Sequence, residues 1–340
     1  MIRIGSDFIS LAHGDGGQKT HDLIRDIFVQ AFEHHEEAKW DAALVHCDAN
    51  RLAITTDSFV VSPRHFPGGD IGKLAVAGTV NDLAVSFATP KWLTCGLIIE
   101  EGFSVDELRQ IVLSMAEEAR KANVKIIAGD TKVVEHGACD GLFINTTGVG
   151  LCDKNHSGIP AIEEGDVILV NGTVGDHGMT LMALREDLPI TNEVESDCAS
   201  LNHLIHHLRE THPFALKFMR DATRGGLATT LIEACSDLHL DLVLEEEEIP
   251  LSPPIKGACD LLGYDPLYVA NEGKVVMIVK KDEAKRVLQT MKAHPLGEQA
   301  AIIGHIKHVE CPEGRLFLRT ALGVDKVKRR LPEIQLPRIC

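Results

Sequence analysis

The chain has no apolar run long enough to span a bilayer, no CxxC cysteine pair and no excess of basic charge. The first absence leaves no candidate for a membrane-spanning helix. The opening residues Met1-Ile2-Arg3-Ile4-Gly5-Ser6-Asp7 lack a basic region followed by an apolar stretch, so no secretory leader is expected. The nine cysteines are scattered, and an odd number fits poorly with a closed disulfide framework, which makes a reducing cytoplasm the expected setting. A formal net charge of −16 disfavours nucleic acid or an anionic membrane as partner, since either needs a basic face to displace counterions. An acidic protein that handles phosphates is expected to do so locally, through a divalent metal. Internal repeats and low-complexity segments are also missing.

What is present is ordinary globular composition, with 44% hydrophobic and 25% charged residues. A length of 340 residues suits two domains, each able to bury a core. Four segments are expected: residues 1–40, a glycine-rich loop and helix; 41–153, a first α/β or α+β domain; 165–330, a second α+β domain; and the tail 331–340.

In the first segment, His13-Gly14-Asp15-Gly16-Gly17-Gln18-Lys19 precedes the apolar-periodic Leu23, Ile24, Ile27, Phe28 and Ala31. Glycines let backbone N–H groups approach an anion, and the following helix adds a positive dipole end, so the loop is a candidate lid over phosphates. It is not a Walker A sequence, and a plain flexible loop has the same composition. Strands are expected at Leu52–Val61, Trp92–Glu101, Lys125–Val134 and Gly141–Leu151, with helices at Ile71–Ser86 and, capped by Ser104, at Val105–Ala122. Beyond a loop at Asp153–Gly165, strands are expected at Val167–Val170, Val275–Val279 and Leu316–Arg319. Helices are expected at Met179–Arg185, Ala199–Glu210 and Leu227–Leu238. The acidic run Glu245–Glu248 reads as a solvated edge or loop.

Four aspartates stand beside small or polar residues: Asp57 in Thr-Thr-Asp-Ser, Asp82 after Asn81, Asp130 in Gly-Asp-Thr-Lys and Asp221 in Arg-Asp-Ala-Thr-Arg-Gly-Gly. Acids at such turns can converge on a hard cation, and Mg²⁺ favours oxygen ligands together with substrate phosphates, which points to ATP. Taken singly, each aspartate also fits a turn or helix cap. Lys132 lies in an apolar strand, so its charge is expected to be paired or aimed into a cleft. Glu272 follows the apolar stretch Tyr268-Val269-Ala270 and precedes a glycine. A desolvated carboxylate makes a general base and a neighbouring lysine offsets negative charge, although both residues also fit ordinary strand ends. His305, His308 and Cys311, and likewise His136 and Cys139, have a metal-like spacing. In a strand and loop these side chains need not converge, so surface histidines are expected. The chain ends in Leu336-Pro337-Arg338-Ile339-Cys340. Pro332 and Pro337 disfavour helix, so residues 331–340 are expected to run extended and mobile, reaching ~30 Å at roughly 3.3 Å per residue. A frayed terminus carrying an idle thiol is the alternative.

These motifs resemble those of the hydrogenase maturation factor HypE family, carbamoyl dehydratases within the aminoimidazole ribonucleotide synthetase-like superfamily. The resemblance runs from Ala12-His13-Gly14 through Phe66-Pro67-Gly68-Gly69-Asp70-Ile71-Gly72-Lys73, Gly129-Asp130-Thr131-Lys132-Val133-Val134, Thr223-Arg224-Gly225-Gly226 and Ala270-Asn271-Glu272-Gly273-Lys274 to Pro337-Arg338-Ile339-Cys340. Departures fall at Ala222 and His65, beside motif residues rather than on them. The resemblance implies a two-domain α+β fold and a homodimer whose N-terminal sheets pair into a shared β-barrel. It implies ATP and Mg²⁺ at Asp57, Asp82, Asp130 and Asp221, with Asn81 assisting and His13, Gly14, Gly16, Gly17 and Lys19 covering the phosphates. It further implies Glu272 as base, Lys132 as its charge partner and Cys340 as the modified thiol. A HypF-like carbamoyltransferase would load Cys340, ATP would drive dehydration to a thiocyanate, and a HypC–HypD-like iron acceptor complex would receive the cyanide. Two other readings stand beside it. A sister enzyme phosphorylating a free small molecule, as in selenophosphate or aminoimidazole ribonucleotide synthesis, would not need Cys340. A metal-delivery scaffold would depend on His305 and His308 instead.

Overall fold

The computed structural model describes residues 17–23, 43–46, 51–152, 160–188, 190, 193–333, 336 and 338–340. His13, Gly14, Gly16 and most of the helix expected after them lie outside these residues.

The helix α1 (Gln18–Leu23) comes first and meets Leu331 and Glu233, far along the chain. The first domain then contains, in chain order, β1 (Ala43–His46), β2 (Arg51–Phe59), the hairpin β3 (His65–Phe66) and β4 (Gly69–Asp70), α2 (Ile71–Val85), β5 (Ala88–Glu100), α3 (Val105–Lys121), β6 (Lys125–Val134) and β7 (Leu142–Cys152). Its five-stranded sheet has the order β1-β2-β7-β5-β6. Only the β5–β6 pair is parallel, joined by α3 as a crossover. Pro90 is tolerated within β5 because the ladder shifts register between Pro90 and Trp92.

Asp70 starts α2 by accepting the Lys73 N–H at 2.8 Å, as an N-cap should. The helix is apolar on nearly every side and buried almost throughout, which its position demands. One side packs on β2 and β7 and another meets the second domain, where Ala84 and Val85 join Leu204, Leu216 and Met219 in one cluster. By contrast, α3 is amphipathic and lays Ile111, Met115 and Ala119 on the first core, with Ser104 as its cap.

The second domain follows with β8 (Val167–Val170), α4 (Asp176–Arg185), α5 (Asn202–Thr211), β9 (Leu216–Asp221), α6 (Gly226–Leu238), β10 (Asp241–Glu245), α7 (Pro253–Leu262), β11 (Val275–Val279), α8 (Ala284–Lys292), β12 (Ala301–His308), β13 (Arg315–Arg319) and β14 (Asp325–Lys328). The seven-stranded sheet has the order β14-β13-β10-β12-β8-β11-β9. Its central strands are buried on both faces. Val276 and Ile278 pack with Leu227 and Leu231 of α6, while Val275, Met277 and Val279 pack with Leu204, Val287 and Met291 of α5 and α8. The period of two therefore feeds two cores, and β11 reads as a continuous apolar run.

Candidate functional site

Where the two domains meet lies a cavity of about 230 Å³, lined by Thr55, Thr56, Asp57, Gly78, Asp82, Asp221, Thr223, Arg224, Glu272 and Cys340. Ala53, Thr55 and Phe59 of β2 are buried, and Asp57 has their parity, so it faces inward where the core gives way to the cavity. This is the reason for an acid in mid-strand. Asp82, near the end of α2, accepts the Thr55 hydroxyl at 2.7 Å. Asp221 closes β9, and the turn after it places Arg224 ahead of Gly225 and Gly226, at φ +74° and +62°. A Cβ on Gly226 would lie 2.5 Å from the Val269 carbonyl oxygen, so the close approach requires glycine.

Glu272 is 3% exposed and is held from both sides by its backbone. Asp197 accepts the N–H groups of Glu272 and Gly273 at 3.1 and 3.0 Å, and a Cβ on Gly273 would fall 1.9 Å from the Asp197 carbonyl oxygen. Lys274 lies 3.2 Å from the same carboxylate, and against the penalty of burial these groups hold Asp197 below its ordinary range. Glu272 Oε1 has no hydrogen-bond partner among the described residues. Burial first, then the nearby Asp221, Asp197 and Asp57, push the Glu272 carboxyl well above the usual carboxylate range. Burial raises Asp57 as well, against the pull of Arg224 and the Ser58 N–H. Arg224 lines the same cavity, and its cation is stabilised first by the Cys340 sulfur when that is ionised, and by Asp57, Glu272 and Asp82.

The tail enters this cavity. The Val60 N–H donates to the Cys340 carbonyl at 3.1 Å, the Ser62 N–H to the Arg338 carbonyl at 3.4 Å, and Arg338 Nε to the Val60 carbonyl at 3.1 Å. Arg185 donates to the carbonyls of Ser62 and Arg338, and Arg338 reaches Asp140 at 2.7 Å. His177 Nε2 meets the Ile339 carbonyl at 2.8 Å. Leu336 and Ile339 are buried in the first core cluster. A segment expected to be mobile is thus docked, because two apolar side chains are buried and the main-chain oxygens of Arg338, Ile339 and Cys340 find partners. Inside the cavity, burial pushes the Cys340 thiol up to about 12, with Glu272 and the aspartates adding to the effect and Arg224 opposing it.

Other expected site residues lie elsewhere in the chain. Of the two expected outcomes for the Lys132 charge, a partner or a cleft, the structure shows a partner: β6 is an edge strand, and the Lys132 side chain is 69% exposed, 3.1 Å from Asp130. Asp130 is equally open at 70% and does not line the cavity. Asn81 is buried, with its amide nitrogen donating to the carbonyls of Ala199 and Glu272 and its oxygen accepting the Leu201 N–H at 2.8 Å. It shapes the Glu272 loop and does not face the cavity. Gly17 immediately precedes α1 and Lys19 lies in its first turn, where the Gln18 N–H donates to the Leu331 carbonyl at 3.3 Å. His305, His308 and His136 each face a glutamate: Glu245, Glu164 and Glu100.

Sequence reading assigned no site role to Arg224, Thr55, Asp197 or His177. Arg224 carried a signal, a lone arginine between a strand end and two glycines. Asp197 and His177 carried none, since both act through backbone partners distant in sequence.

Whether a divalent cation fits can be judged from the donors. Asp57, Asp82 and Asp221 bring only oxygen ligands to one cavity, and Glu272 Oε1 is an orphan acceptor there. Among the described residues no three acids, histidines or cysteines converge closely enough to ligate an ion by themselves. That suits Mg²⁺, which takes few protein carboxylates and completes its shell with water and substrate phosphates.

Comparison with known proteins places these features in a lineage. Residues 39–152 match the AIR synthase related protein N-terminal domain, and residues 163–313 match the corresponding C-terminal domain. The carbamoyl dehydratase HypE of Rhodobacter capsulatus is 46% identical over 336 residues, covering 98% of each chain. A crystal structure of a HypE–HypF complex contains a chain 44% identical to this one, with a TM-score of 0.83 over 91% of this chain and 99% of that one. The hydrogenase maturation protein HypE crystallised in complex with ATP is 42% identical, with a TM-score of 0.81 over 98% of this chain and 100% of that one.

Proposed function

This chain belongs to the AIR synthase related family and, within it, to the carbamoyl dehydratase HypE proteins, and we propose that it is an ATP-dependent carbamoyl dehydratase acting on its own C-terminal cysteine in hydrogenase maturation. One observation carries the reading. The Cys340 thiol shares its cavity with three aspartates, Arg224 and the buried carboxyl of Glu272.

The docked thiol, pushed up to about 12, is almost wholly protonated at neutral pH and a poor nucleophile. Loading by a HypF-like carbamoyltransferase therefore takes place with the tail outside the cavity. On its return, the carbonyl oxygen of the S-carbamoyl group attacks the γ-phosphorus of ATP and ADP departs. Loss of one N–H proton leaves an imino phosphate, R–S–C(=NH)–O–PO₃. Removal of the second N–H proton breaks the C–O bond, releasing phosphate and leaving R–S–C≡N. The elements of water thus leave in phosphate and a proton. Glu272 is placed to take the proton once it is ionised, and Arg224 offsets charge on the phosphorylated oxygen. Magnesium, when bound with the nucleotide, supplies countercharge to the aspartates and the γ-phosphate. Asp57, Asp82 and Asp221 are the residues that would hold it.

We further read residues 41–153 as a dimerisation domain. Trp92 and Ile98 of β5 are exposed large apolar residues on the sheet face opposite the buried Leu93 and Ile99, the face onto which the register also places Asp130 and Lys132, and it is suited to pairing with a second sheet into a shared β-barrel. Such a homodimer would cover the edge strand carrying Asp130 and Lys132 and bring them to a nucleotide site near the interface. A HypC–HypD-like iron complex is the acceptor this chemistry requires, and the cytoplasm is the setting that keeps Cys340 reduced.

The test is intact and peptide mass spectrometry of the protein incubated with a HypF-like donor, carbamoyl phosphate, ATP and Mg²⁺. A carbamoyl mass on the Cys340 peptide that loses one water only with ATP is expected. An unmodified Cys340 beside a competent donor would overturn the reading in favour of a small-molecule sister enzyme.

A further inference from the structure

His177, on α4, is fully buried and meets Phe66 edge-on, with ring centroids 5.3 Å apart. Its Nε2 lies 2.8 Å from the Ile339 carbonyl oxygen and its Nδ1 2.7 Å from Ser196 Oγ. A carbonyl only accepts, so the ring proton sits on Nε2, and Nδ1 takes the Ser196 hydroxyl. Ser196 Oγ also accepts the Cys198 N–H at 3.1 Å. The next residue, Asp197, clamps the N–H groups of Glu272 and Gly273. An unbroken chain of contacts thus links the penultimate residue of the tail to the backbone of Glu272.

A core histidine satisfied within its own domain would stabilise the fold and nothing more. Here one of the two partners belongs to the tail. If the tail leaves, a buried N–H donor loses its acceptor, a penalty absent while the tail is docked. We propose that His177 is a positioning residue, the seat that holds the docked tail by its main chain, and that Ser196 and Asp197 couple occupancy of this seat to the geometry of the Glu272 loop. The seat stands on geometry alone, while its consequence for dehydration rests on the dehydratase reading. The tests below use neither ATP nor a carbamoyl donor, so failure of that reading leaves them intact.

The first readout is the rate at which iodoacetamide alkylates Cys340 in nucleotide-free protein, followed by peptide mass spectrometry. Asparagine at position 177 places an amide near Nδ1 and keeps the Ser196 contact while losing the donor to Ile339. Glutamine reaches the place of Nε2 and keeps that donor. His177→Asn is expected to speed alkylation about tenfold, the factor carried by 1.4 kcal/mol. His177→Gln should stay within about twofold of wild type on the same scale. Equal protection in His177→Asn and wild type, or equal exposure in both variants, overturns the seat. The second readout handles a variant that folds poorly. In a chain lacking residues 336–340, His177→Asn should leave the melting temperature unchanged while lowering it in the full chain. An equal loss in both would make His177 a structural residue only. In that truncated chain with His177 intact, amide exchange at Glu272 and Gly273 should be about tenfold faster, and unchanged exchange overturns the coupling.

Discussion

The side-chain amide of Asn81 donates to the backbone carbonyl of Glu272 across 3.3 Å, tying the buried helix of the first domain to the loop that carries the proposed base in the second. The same side chain holds Ala199 and Leu201, so it joins three backbone groups from two segments. Asn81→Ala would take these partners from the Ala199 carbonyl and the Leu201 N–H and leave the Glu272 carbonyl only the Ala199 N–H at 3.5 Å, and should destabilise the protein by about 2–4 kcal/mol. Thermal or urea denaturation measures this. Dehydration should slow more than nucleotide binding weakens, because the residue acts on the Glu272 loop and lies outside the cavity lining. A variant with wild-type stability would show that the amide contacts carry no weight.

Glu272 gives the folded state a pH signature. Its carboxyl is held well above the ordinary value of 4.5, mainly by burial. Between the ordinary and raised values the folded state therefore binds more protons than the unfolded state. Stability from this group then falls as pH rises from about 4.5 towards the folded value, and below that range the loss is absent. Glu272→Gln cannot ionise and escapes the loss. In EDTA without nucleotide, its melting temperature should exceed that of wild type at pH 7.5, with the gap closing towards pH 4.5. Its dehydration rate should drop at least ~100-fold. A gap that widens on acidification would contradict the sign.

What the sequence disclosed followed from local rules. Val275–Val279 is an uninterrupted apolar run and was legible as a strand, and the N-terminus of α3 was legible from Ser104. Strand β9 was missed because Lys217 interrupts its pattern. That lysine is buried against Asp166 at 2.8 Å and Glu163 at 3.0 Å, a pairing no local window contains. Helices α7 and α8 and strand β10 went unread as well, the last because the acidic run Glu245–Glu248 hid its end. In the site, Asp57, Asp82, Asp221, Glu272 and Cys340 were nominated from their flanks and meet in one cavity. For Lys132 the sequence left open a paired charge, a cleft or a surface strand end, and the structure shows it paired with Asp130 on an exposed edge, because apolar neighbours look alike on a buried strand and on an exposed edge. The sequence cannot express that an edge strand has a partner only on one side.

The aspartates make a prediction about metal. Since no three ligands converge among the described residues, Mg²⁺ alone should bind weakly, and a non-hydrolysable ATP analogue should tighten it by at least about tenfold. Calorimetric titration of Mg²⁺ with and without the analogue measures this. Asp57→Asn and Asp82→Asn should each erase most of the enhancement. Equal Mg²⁺ affinity in both titrations would mean that the carboxylates form a complete site without the nucleotide.

Lys132 and Asp130 sit on an exposed edge strand outside their own chain's cavity, and the proposed dimer offers them a site on the paired copy. The consequence can be read by mixing inactive variants. Lys132→Ala should lose at least ~100-fold in dehydration, as removal of a cation opposite developing charge does, and Glu272→Gln a comparable factor. If each cavity takes Lys132 from the other copy, co-refolded mixtures contain hybrids in which one cavity lacks both groups and the other has both. Random pairing makes about half the dimers hybrid with one intact site each, so activity should recover to about a quarter of wild type. If Lys132 instead swings into its own chain's cavity, every cavity in the mixture lacks one group and the mixture stays inactive. A mass-spectrometric count of dehydrated Cys340 peptides separates the two outcomes. Labelling one variant with a heavy isotope adds a further check, because the thiocyanate should then appear only on the chain that retains Glu272.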